Sequence, residues 1–233
     1  MELNRRIENY WDERSESFSR SRRMELDGVD GVAWQNIFRR NLPDGKLKIL
    51  DVGTGAGFFA AILAQLGHEV IGVDMSSKML LEAEKNLREL KLSANFRKMN
   101  AQAPDFADET FDVVVSRNLT WTLPDVKAAY REWRRVLKVG GVLMNFDSDY
   151  GDKNFLDTVT CADGGVNPNM LSECNAIKNS VEISSQRRPA WDVGFLQGLN
   201  FSVSVDEDIA RAVHNDSRCD YDSVPLFAIC ATK

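Results

Sequence analysis

Three glycines at alternate positions are the residues most able to take part in binding chemistry. Gly53, Gly55 and Gly57 follow the short, mostly apolar segment 48–52, and a helical apolar pattern begins directly after them. Glycine adopts backbone angles that other residues avoid, and without a Cβ atom it lets main-chain N–H groups approach a ligand. The helix predicted over 57–66 directs its positive N-terminus towards the same point. The segment therefore predicts a strand, a binding turn and a helix.

An acidic residue ends the next predicted strand, which covers 69–74. Asp74 lies 21 positions after Gly53, and a carboxylate there can accept hydrogen bonds from both hydroxyls of a ribose. The glycine pattern differs from the dinucleotide turn G-x-G-x-x-G, because Phe58 occupies the third glycine position. Asp51, two places before the first glycine, suits an ammonium group better than a pyrophosphate. These residues favour an adenosyl ligand that carries an ammonium group over a dinucleotide.

The composition is that of a folded protein with no evident nucleic-acid surface. Hydrophobic residues make up 43% of the 233 residues, which is enough for a full core. The net charge of −6 argues mildly against a nucleic-acid partner, which usually meets a basic face. The four cysteines include no C-x-x-C pair, which indicates reduced thiols and neither a zinc site nor a disulfide framework. With no apolar signal region and no apolar run of about 18 residues, we expect a cytoplasmic protein without a membrane partner.

Predicted strands and helices alternate from residue 46 onwards. The strands are expected over 48–52, 69–74, 95–99, 111–116, 142–146, 201–205 and 225–232. The helices are expected over 57–66, 76–90, 124–137 and 192–198, with Ser76 and Asp192 as caps and with Gly140 and Gly141 ending the third. This alternation predicts an α/β, Rossmann-like, seven-stranded and mostly parallel sheet with helices on both faces.

Two further segments lie outside this core. Apolar residues at helical spacing predict helices over 2–19 and 31–41, within an N-terminal helical lid of residues 1–42. The stretch 148–190 is too long for a plain connection and predicts a cap inserted after strand 5, with a short helix near Leu171, Cys174 and Ile177. We therefore expect a single domain over 1–233, with its core at 46–147 and its last helix and strands at 191–233.

Four ordered motifs in the core resemble those of class I S-adenosylmethionine-dependent methyltransferases. They are D-V-G-T-G-A-G at 51–57, G-V-D-M-S at 72–76, F-D-V-V-V at 111–115 and R-V-L-K-V-G-G at 135–141. The resemblance implies direct in-line transfer of a methyl group from S-adenosylmethionine to an N, O, S or C atom of a small molecule, with S-adenosylhomocysteine as product. It implies no metal, because strand 4 lacks the terminal aspartate of metal-dependent catechol methyltransferases.

The resemblance also assigns roles to individual residues. The glycine loop would wrap the methionyl part of the cofactor, Asp51 would orient that loop or the ammonium group, and Asp74 would hold the ribose. The adenine would contact Met75, Asn100 and Ala101. The residues expected at the cofactor are Tyr10, Trp11, Asp51, Gly53, Thr54, Gly55, Gly57, Asp74, Met75, Asn100, Ala101, Gln102 and Asn118. Those expected to face the substrate are Trp121, Tyr150 and, for an anionic acceptor, Arg188, with Asp147 as the candidate general base.

Other functions fit parts of this pattern. A NAD-dependent oxidoreductase would share the fold and Asp74, but Phe58 and Asp51 argue against it. A nucleic-acid or protein methyltransferase is a further alternative. Amino-group methylation of DNA would need an Asn/Asp-Pro-Pro-Tyr/Phe run after strand 4, where this chain has N-L-T-W at 118–121. A binding protein without catalysis also fits, and the acceptor and the oligomeric state stay open.

Overall fold

The computed structural model describes residues 2–158, 168–219 and 223–233. The helices are α1 Glu2–Leu26, α2 Val29–Asn41, α3 Phe58–Gln65, α4 Ser77–Glu89, α5 Val126–Val136, α6 Pro168–Asn179, α7 Ala190–Gly198 and α8 Ala210–Val213. The strands are β1 Lys48–Val52, β2 Glu69–Asp74, β3 Asn95–Lys98, β4 Phe111–Arg117, β5 Leu137–Ser148, β6 Ser202–Asp206 and β7 Leu226–Thr232. Short 3-10 helices cover Thr120–Thr122, Phe155–Thr158 and Glu182–Ser185. Residues 159–167 of the cap predicted over 148–190 lie outside the described residues.

The described strands form one sheet in the order β3-β2-β1-β4-β5-β7-β6. Strands β1 to β5 run parallel to one another, and β7 is antiparallel to both β5 and β6. The predicted fold class, an α/β seven-stranded and mostly parallel sheet with N-terminal helices, is confirmed. Because β1 to β5 are parallel, their carboxyl ends meet along one edge, where ligands bind in sheets of this kind.

Alternation along the strands divides the core into two layers. Leu50 and Val114 point to the layer that contains Trp133 of α5. Ile49 and Val113, one residue earlier in each strand, point to the opposite layer, where α2, α3 and α8 pack. A third cluster lies apart from both layers and joins α1 to α6 through Ile7, Tyr10, Trp121, Tyr150, Met170, Cys174 and Ile177. Helices therefore cover both faces, and α1 reaches towards the segment that follows β5.

The fifth strand corrects one prediction from the sequence. We expected Gly140 and Gly141 to end the preceding helix, but α5 ends at Val136 and β5 begins at the next residue. Leu137 pairs with Phe111 and Val142 pairs with Val113, so residues 138–141 form a bulge on this strand. Gly140, with a φ of 76°, supplies the left-handed conformation that the bulge requires.

Candidate active site

The loop between β1 and α3 presents its backbone to a cleft above the strand ends. Gly53, Gly55 and Gly57 have φ angles of 67°, 53° and 82°, in the left-handed region that favours glycine. A Cβ atom on Gly53 would lie 2.8 Å from the side chain of Leu119, so any larger residue would have to displace that neighbour. The N–H of Gly53 donates to the carbonyl of Val73 over 2.8 Å, which ties the loop to β2.

Asp51 is buried beneath the glycine loop. Its carboxylate accepts a hydrogen bond from Thr54 Oγ1 over 2.6 Å and another from the backbone of Ala60. Burial raises the pKa of Asp51 to about 7, although these hydrogen bonds oppose the shift. Asp51 thus contacts both the loop and the first turn of α3, and its contact with an ammonium group stays a prediction.

Asp74, at the end of β2, is half-buried and uses both carboxylate oxygens. One oxygen accepts from the N–H of Gly55 over 2.9 Å, and the other accepts from the N–H of Ser76 over 2.8 Å. Burial raises the pKa of Asp74 to about 6, and these hydrogen bonds oppose the shift. A carboxylate offers about four lone-pair positions, so each oxygen keeps capacity for a further donor such as a ribose hydroxyl.

The main cleft lies beyond the ends of β1, β2 and β4 and encloses about 670 Å³ of empty space, open solvent at its mouth included. The predicted cofactor residues that line it are Trp11, Gly53, Gly55, Asp74, Met75, Asn100, Ala101, Gln102 and Asn118. Asp51 and Thr54 line a smaller space that adjoins it. Gly57 precedes the first turn of α3, and Tyr10 lies in the cluster between α1 and α6.

The segment after β3 forms a hydrogen-bonded wall of the main cleft. Asn100 Oδ1 accepts from the backbone N–H of Gln102 over 3.0 Å and from its side-chain amide over 3.1 Å. The carbonyl of Ala101 accepts from the indole N–H of Trp133 over 2.9 Å, which holds this wall against α5. Met75 and Met99 line the same cleft and offer polarisable surface to a flat ring.

Asn118 follows β4 in an unusual backbone conformation. Its φ is 50°, its N–H donates to the carbonyl of Phe146 over 2.8 Å, and its carbonyl accepts from the indole of Trp121 over 3.0 Å. The side-chain Oδ1 is buried without a hydrogen-bond partner among the described residues. Buried polar atoms are nearly always paired in native proteins. An unpaired acceptor in the cleft wall therefore fits a ligand that carries a hydrogen-bond donor.

Helix α1 lines the cleft and is attached to α4 by side-chain hydrogen bonds. Its residues Asn4, Ile7, Trp11 and Phe18 line the cleft. The carboxylate of Asp12 accepts from Ser76 Oγ over 2.5 Å at the start of α4, and Ser76 also caps that helix, as predicted. Asn86 of α4 donates to Ser19 Oγ and to the carbonyl of Ala56, 3.0 Å away in each case. The long N-terminal helix is therefore part of the wall of the site.

Comparison with known proteins identifies this arrangement. A family model of the methyltransferase domain matches residues 50–145, which run from β1 to β5 and include the glycine loop and Asp74. Residues 50–145 thus form a methyltransferase domain, and this match supports the resemblance to class I S-adenosylmethionine-dependent methyltransferases that the four motifs predicted.

The curated proteins similar to this chain include proteins named for ubiquinone biosynthesis. The ubiquinone biosynthesis O-methyltransferase of Cereibacter sphaeroides is 30% identical over 122 residues, which are 52% of this chain and 49% of that protein. The protein of the same name from Colwellia psychrerythraea is 29% identical over 136 residues, 58% of this chain and 53% of that one. The matches to these curated relatives thus span about half of their length.

Two solved structures share the fold at low sequence identity. The S-adenosylmethionine-dependent methyltransferase from Aquifex aeolicus has a TM-score of 0.60 and 18% identity, over 90% of this chain and 95% of that one. Haemonchus contortus phosphoethanolamine N-methyltransferase 2, solved in complex with S-adenosyl-L-methionine, has a TM-score of 0.63 and 16% identity, over 87% of this chain and 52% of that one. None of the described helices of this chain is long and apolar enough to cross a membrane.

Two catalytic or substrate-facing predictions are contradicted by the structure. Asp147 is fully buried, accepts from the hydroxyl of Thr120 and the N–H of Trp121, and lies 3.2 Å from Arg188 Nη1. Arg188 is 7% exposed and also pairs with Asp192 over 2.8 Å. Asp192 itself lies in the first turn of α7 and is not its cap, which is Pro189. Neither a base nor an anion-binding group is available here, because Arg188 is paired with both Asp147 and Asp192 away from solvent.

The two predicted aromatic substrate residues lie close together. The ring centroids of Trp121 and Tyr150 are 4.8 Å apart, and each lies 5.5 Å from the centroid of the Phe155 ring. Each is less than one-tenth exposed and belongs to the cluster between α1 and α6. They do not line the main cleft, so a contact between these rings and an acceptor stays a prediction.

Arg117 is a site residue that sequence reasoning missed. It ends β4 and lines both the main cleft and the smaller adjoining space. The available signal was an arginine placed directly after four buried residues of a central strand. A charge in such a position requires either a partner or a ligand.

Proposed function

We propose that this protein transfers a methyl group from S-adenosylmethionine to a small-molecule acceptor. The observation that carries the proposal is the cleft at the carboxyl ends of β1, β2 and β4, where the glycine loop and Asp74 face the same space. When bound, the cofactor supplies an electrophilic methyl group on its sulfonium. A cytoplasmic location and the lack of a nucleic-acid partner belong to the same proposal.

The residues of the cleft fit the parts of this cofactor. Gly53 and Gly55 line the cleft without side chains, so the methionyl part can approach the backbone of the loop. Asp74 keeps lone pairs for ribose hydroxyls, and Met75 and Met99 offer surface for adenine. Asn118 Oδ1 can accept from the ammonium group. The chain would thus act mainly by holding and orienting its ligands and by excluding water.

A small acceptor is favoured over a macromolecule by the covering helix. Trp11 and Phe18 of α1, whose ring centroids are 5.5 Å apart, line the same cleft as the glycine loop. A site roofed in this way leaves little surface for a nucleic acid, and the net charge of −6 points the same way. The relatives from Cereibacter sphaeroides and Colwellia psychrerythraea, which are named for ubiquinone biosynthesis, support an acceptor of small-molecule size.

Cofactor binding is tested by thermal unfolding. A ligand of the native state stabilises it by about 2.7 kcal/mol at a hundred times its Kd. For a domain of this size we expect S-adenosylhomocysteine at that concentration to raise Tm by about 5–10 °C. NAD serves as the control and should give no shift. A shift with NAD and none with S-adenosylhomocysteine or S-adenosylmethionine would overturn the proposal.

The acceptor class is tested by product formation. Release of S-adenosylhomocysteine is measured with panels of small phenols, amines, thiols and carboxylic acids, alongside a protein mixture and nucleic acid. We expect turnover with at least one small-molecule panel. Turnover confined to protein or nucleic acid would leave the methyltransferase activity in place but refute the small-molecule acceptor.

Helix α1 should respond to the cofactor as a lid. Because Asn4, Ile7, Trp11 and Phe18 line the cleft, a bound ligand adds contacts along one face of the helix. We expect slower amide hydrogen exchange in α1 and α6 when S-adenosylhomocysteine is added. The middle of α5, which lies away from the cleft, is the internal control, and its amide hydrogen exchange should change little. Equal exchange in α1 with and without ligand would refute the lid.

A further inference from the structure

Arg117 carries unused hydrogen-bonding capacity at the boundary of the site. Its side chain is only 9% exposed, and its Nη2 donates to Glu25 Oε1 of α1 over 2.8 Å. Its Nε and Nη1 have no hydrogen-bond partner in the part of the chain that the structure describes. An unpaired buried donor on a charged group is costly, so such a group persists where a ligand completes it.

The surroundings fix the guanidinium and leave a surplus of positive charge. The guanidinium carbon lies 4.8 Å from the ring centroid of Trp34 and 4.7 Å from that of Phe58. Glu25 is shared, because its other oxygen pairs with Arg22 over 2.6 Å. Burial lowers the pKa of Arg117, and the charge of Arg22 lowers it further, although Glu25 opposes both. Two arginines thus face one carboxylate in a region that water barely reaches.

The location indicates what could supply the missing negative charge. The main cleft and the smaller space beside it share Gly53, Gly55, Arg117 and Asn118 as lining residues. Asp51 also lines the smaller space, but its carboxylate accepts from Thr54 and from the start of α3. Arg117, which carries these unpaired donors, therefore lies beside the loop that is proposed to hold the methionyl end of the cofactor.

We propose that Arg117 binds the α-carboxylate of S-adenosylmethionine and S-adenosylhomocysteine, with Glu25 holding the guanidinium in position. This inference rests on the proposed function. Hydrogen bonds between a guanidinium and a carboxylate are charge-assisted and strong. Asn118, whose Oδ1 is an unpaired acceptor among the described residues, lines the same two spaces and would accept from the ammonium group. The unpartnered donor and acceptor together match the two charged groups of an amino acid.

The test compares two ligands that differ only in the carboxylate. Dissociation constants for S-adenosylhomocysteine and for its decarboxylated analogue, S-adenosyl-3-thiopropylamine, are measured by calorimetry. Arg117→Met should weaken binding of S-adenosylhomocysteine about ten- to a hundredfold and leave the analogue unchanged. Arg117→Lys, which keeps the charge, should recover part of that loss. Arg23→Met is the matched control, because Arg23 lies on α1 and pairs with Asp27 on the surface, and it should affect neither ligand.

A double variant separates a loss of cofactor binding from a loss of folding. Arg117→Met leaves Glu25 with one arginine fewer, so Arg117→Met/Glu25→Gln removes both partners and should show the same selective loss. Equal weakening of both ligands, or no weakening of either, would overturn the inference. A rise confined to the KM for the acceptor would also overturn the inference, because it would place Arg117 at the substrate and not at the cofactor. A wild-type protein that binds neither ligand would instead refute the proposed function itself.

Discussion

Arg188→Met should lower the free energy of unfolding by about 3–5 kcal/mol, the scale for removing one partner of a buried ion pair. Arg188 donates to both oxygens of Asp192, over 2.9 and 2.8 Å, and to Thr120 Oγ1 over 2.7 Å. Its Nη1 lies 3.2 Å from Asp147. Without the guanidinium, two carboxylates would remain buried near each other with no cation between them.

The loss should depend on pH in a specific direction. Burial already raises the pKa of Asp147, with Arg188 opposing the shift. Removing that cation would raise the folded-state pKa further above the unfolded value, so the folded variant would hold extra protons. Its stability would then fall as pH rises from the unfolded pKa through the folded one. We therefore expect a smaller difference from wild type at pH 5 than at pH 8.

Urea unfolding at both pH values measures these effects. Arg187→Met is the matched control, because it removes the neighbouring arginine, whose side chain is exposed, and it should change stability little. Equal stability of Arg188→Met and Arg187→Met would contradict a structural role for the buried network. A loss of the same size at pH 5 and pH 8 would contradict its electrostatic origin.

Asp74→Ala should weaken S-adenosylhomocysteine binding by about 1.5–3 kcal/mol, the scale of hydrogen bonds to a charged group. This corresponds to about a ten- to hundredfold rise in Kd. Asp74 also accepts from the N–H groups of Gly55 and Ser76, so the variant should lose some stability as well. Ser76→Ala is the control: it removes the cap of α4 but no group proposed to meet the ribose. Unchanged affinity in calorimetry would show that another residue holds the ribose.

The ionisation of Asp74 adds a second readout for the same residue. Burial raises its pKa to about 6, so the carboxylate accepts fully above that pH and loses an acceptor position below it. We expect the affinity of wild type for S-adenosylhomocysteine to fall as pH drops through 6. Asp51, with a pKa raised to about 7 by burial, titrates nearby. The contribution of Asp74 is therefore taken as the part of the pH dependence that Asp74→Asn removes.

Several features could be predicted from the sequence because they depend on neighbours along the chain. The glycine spacing at 53–57 requires left-handed backbone angles, and the structure has them at all three glycines. Ser76 caps α4 through the N–H three residues later, which is a local contact. The bounds of β1 and β2 match the prediction because parallel strands buried on both faces are short apolar runs. From these elements the fold and the resemblance to S-adenosylmethionine-dependent methyltransferases could be predicted.

Tertiary structure decided which charges are available to a ligand. Arg188 was predicted to face the substrate and Asp147 to act as a base. In the structure Arg188 donates a hydrogen bond to Thr120, 68 positions away, and forms a buried ion pair with Asp147. Arg117 drew no attention in the sequence, yet it pairs with Glu25, 92 positions earlier, and keeps two donors free. The desolvation and pairing of a charge depend on contacts between distant segments. Local spacing therefore determined the strands, the glycine loop and Asp74, and the packing of α1 and α7 on the sheet determined which arginine remains available.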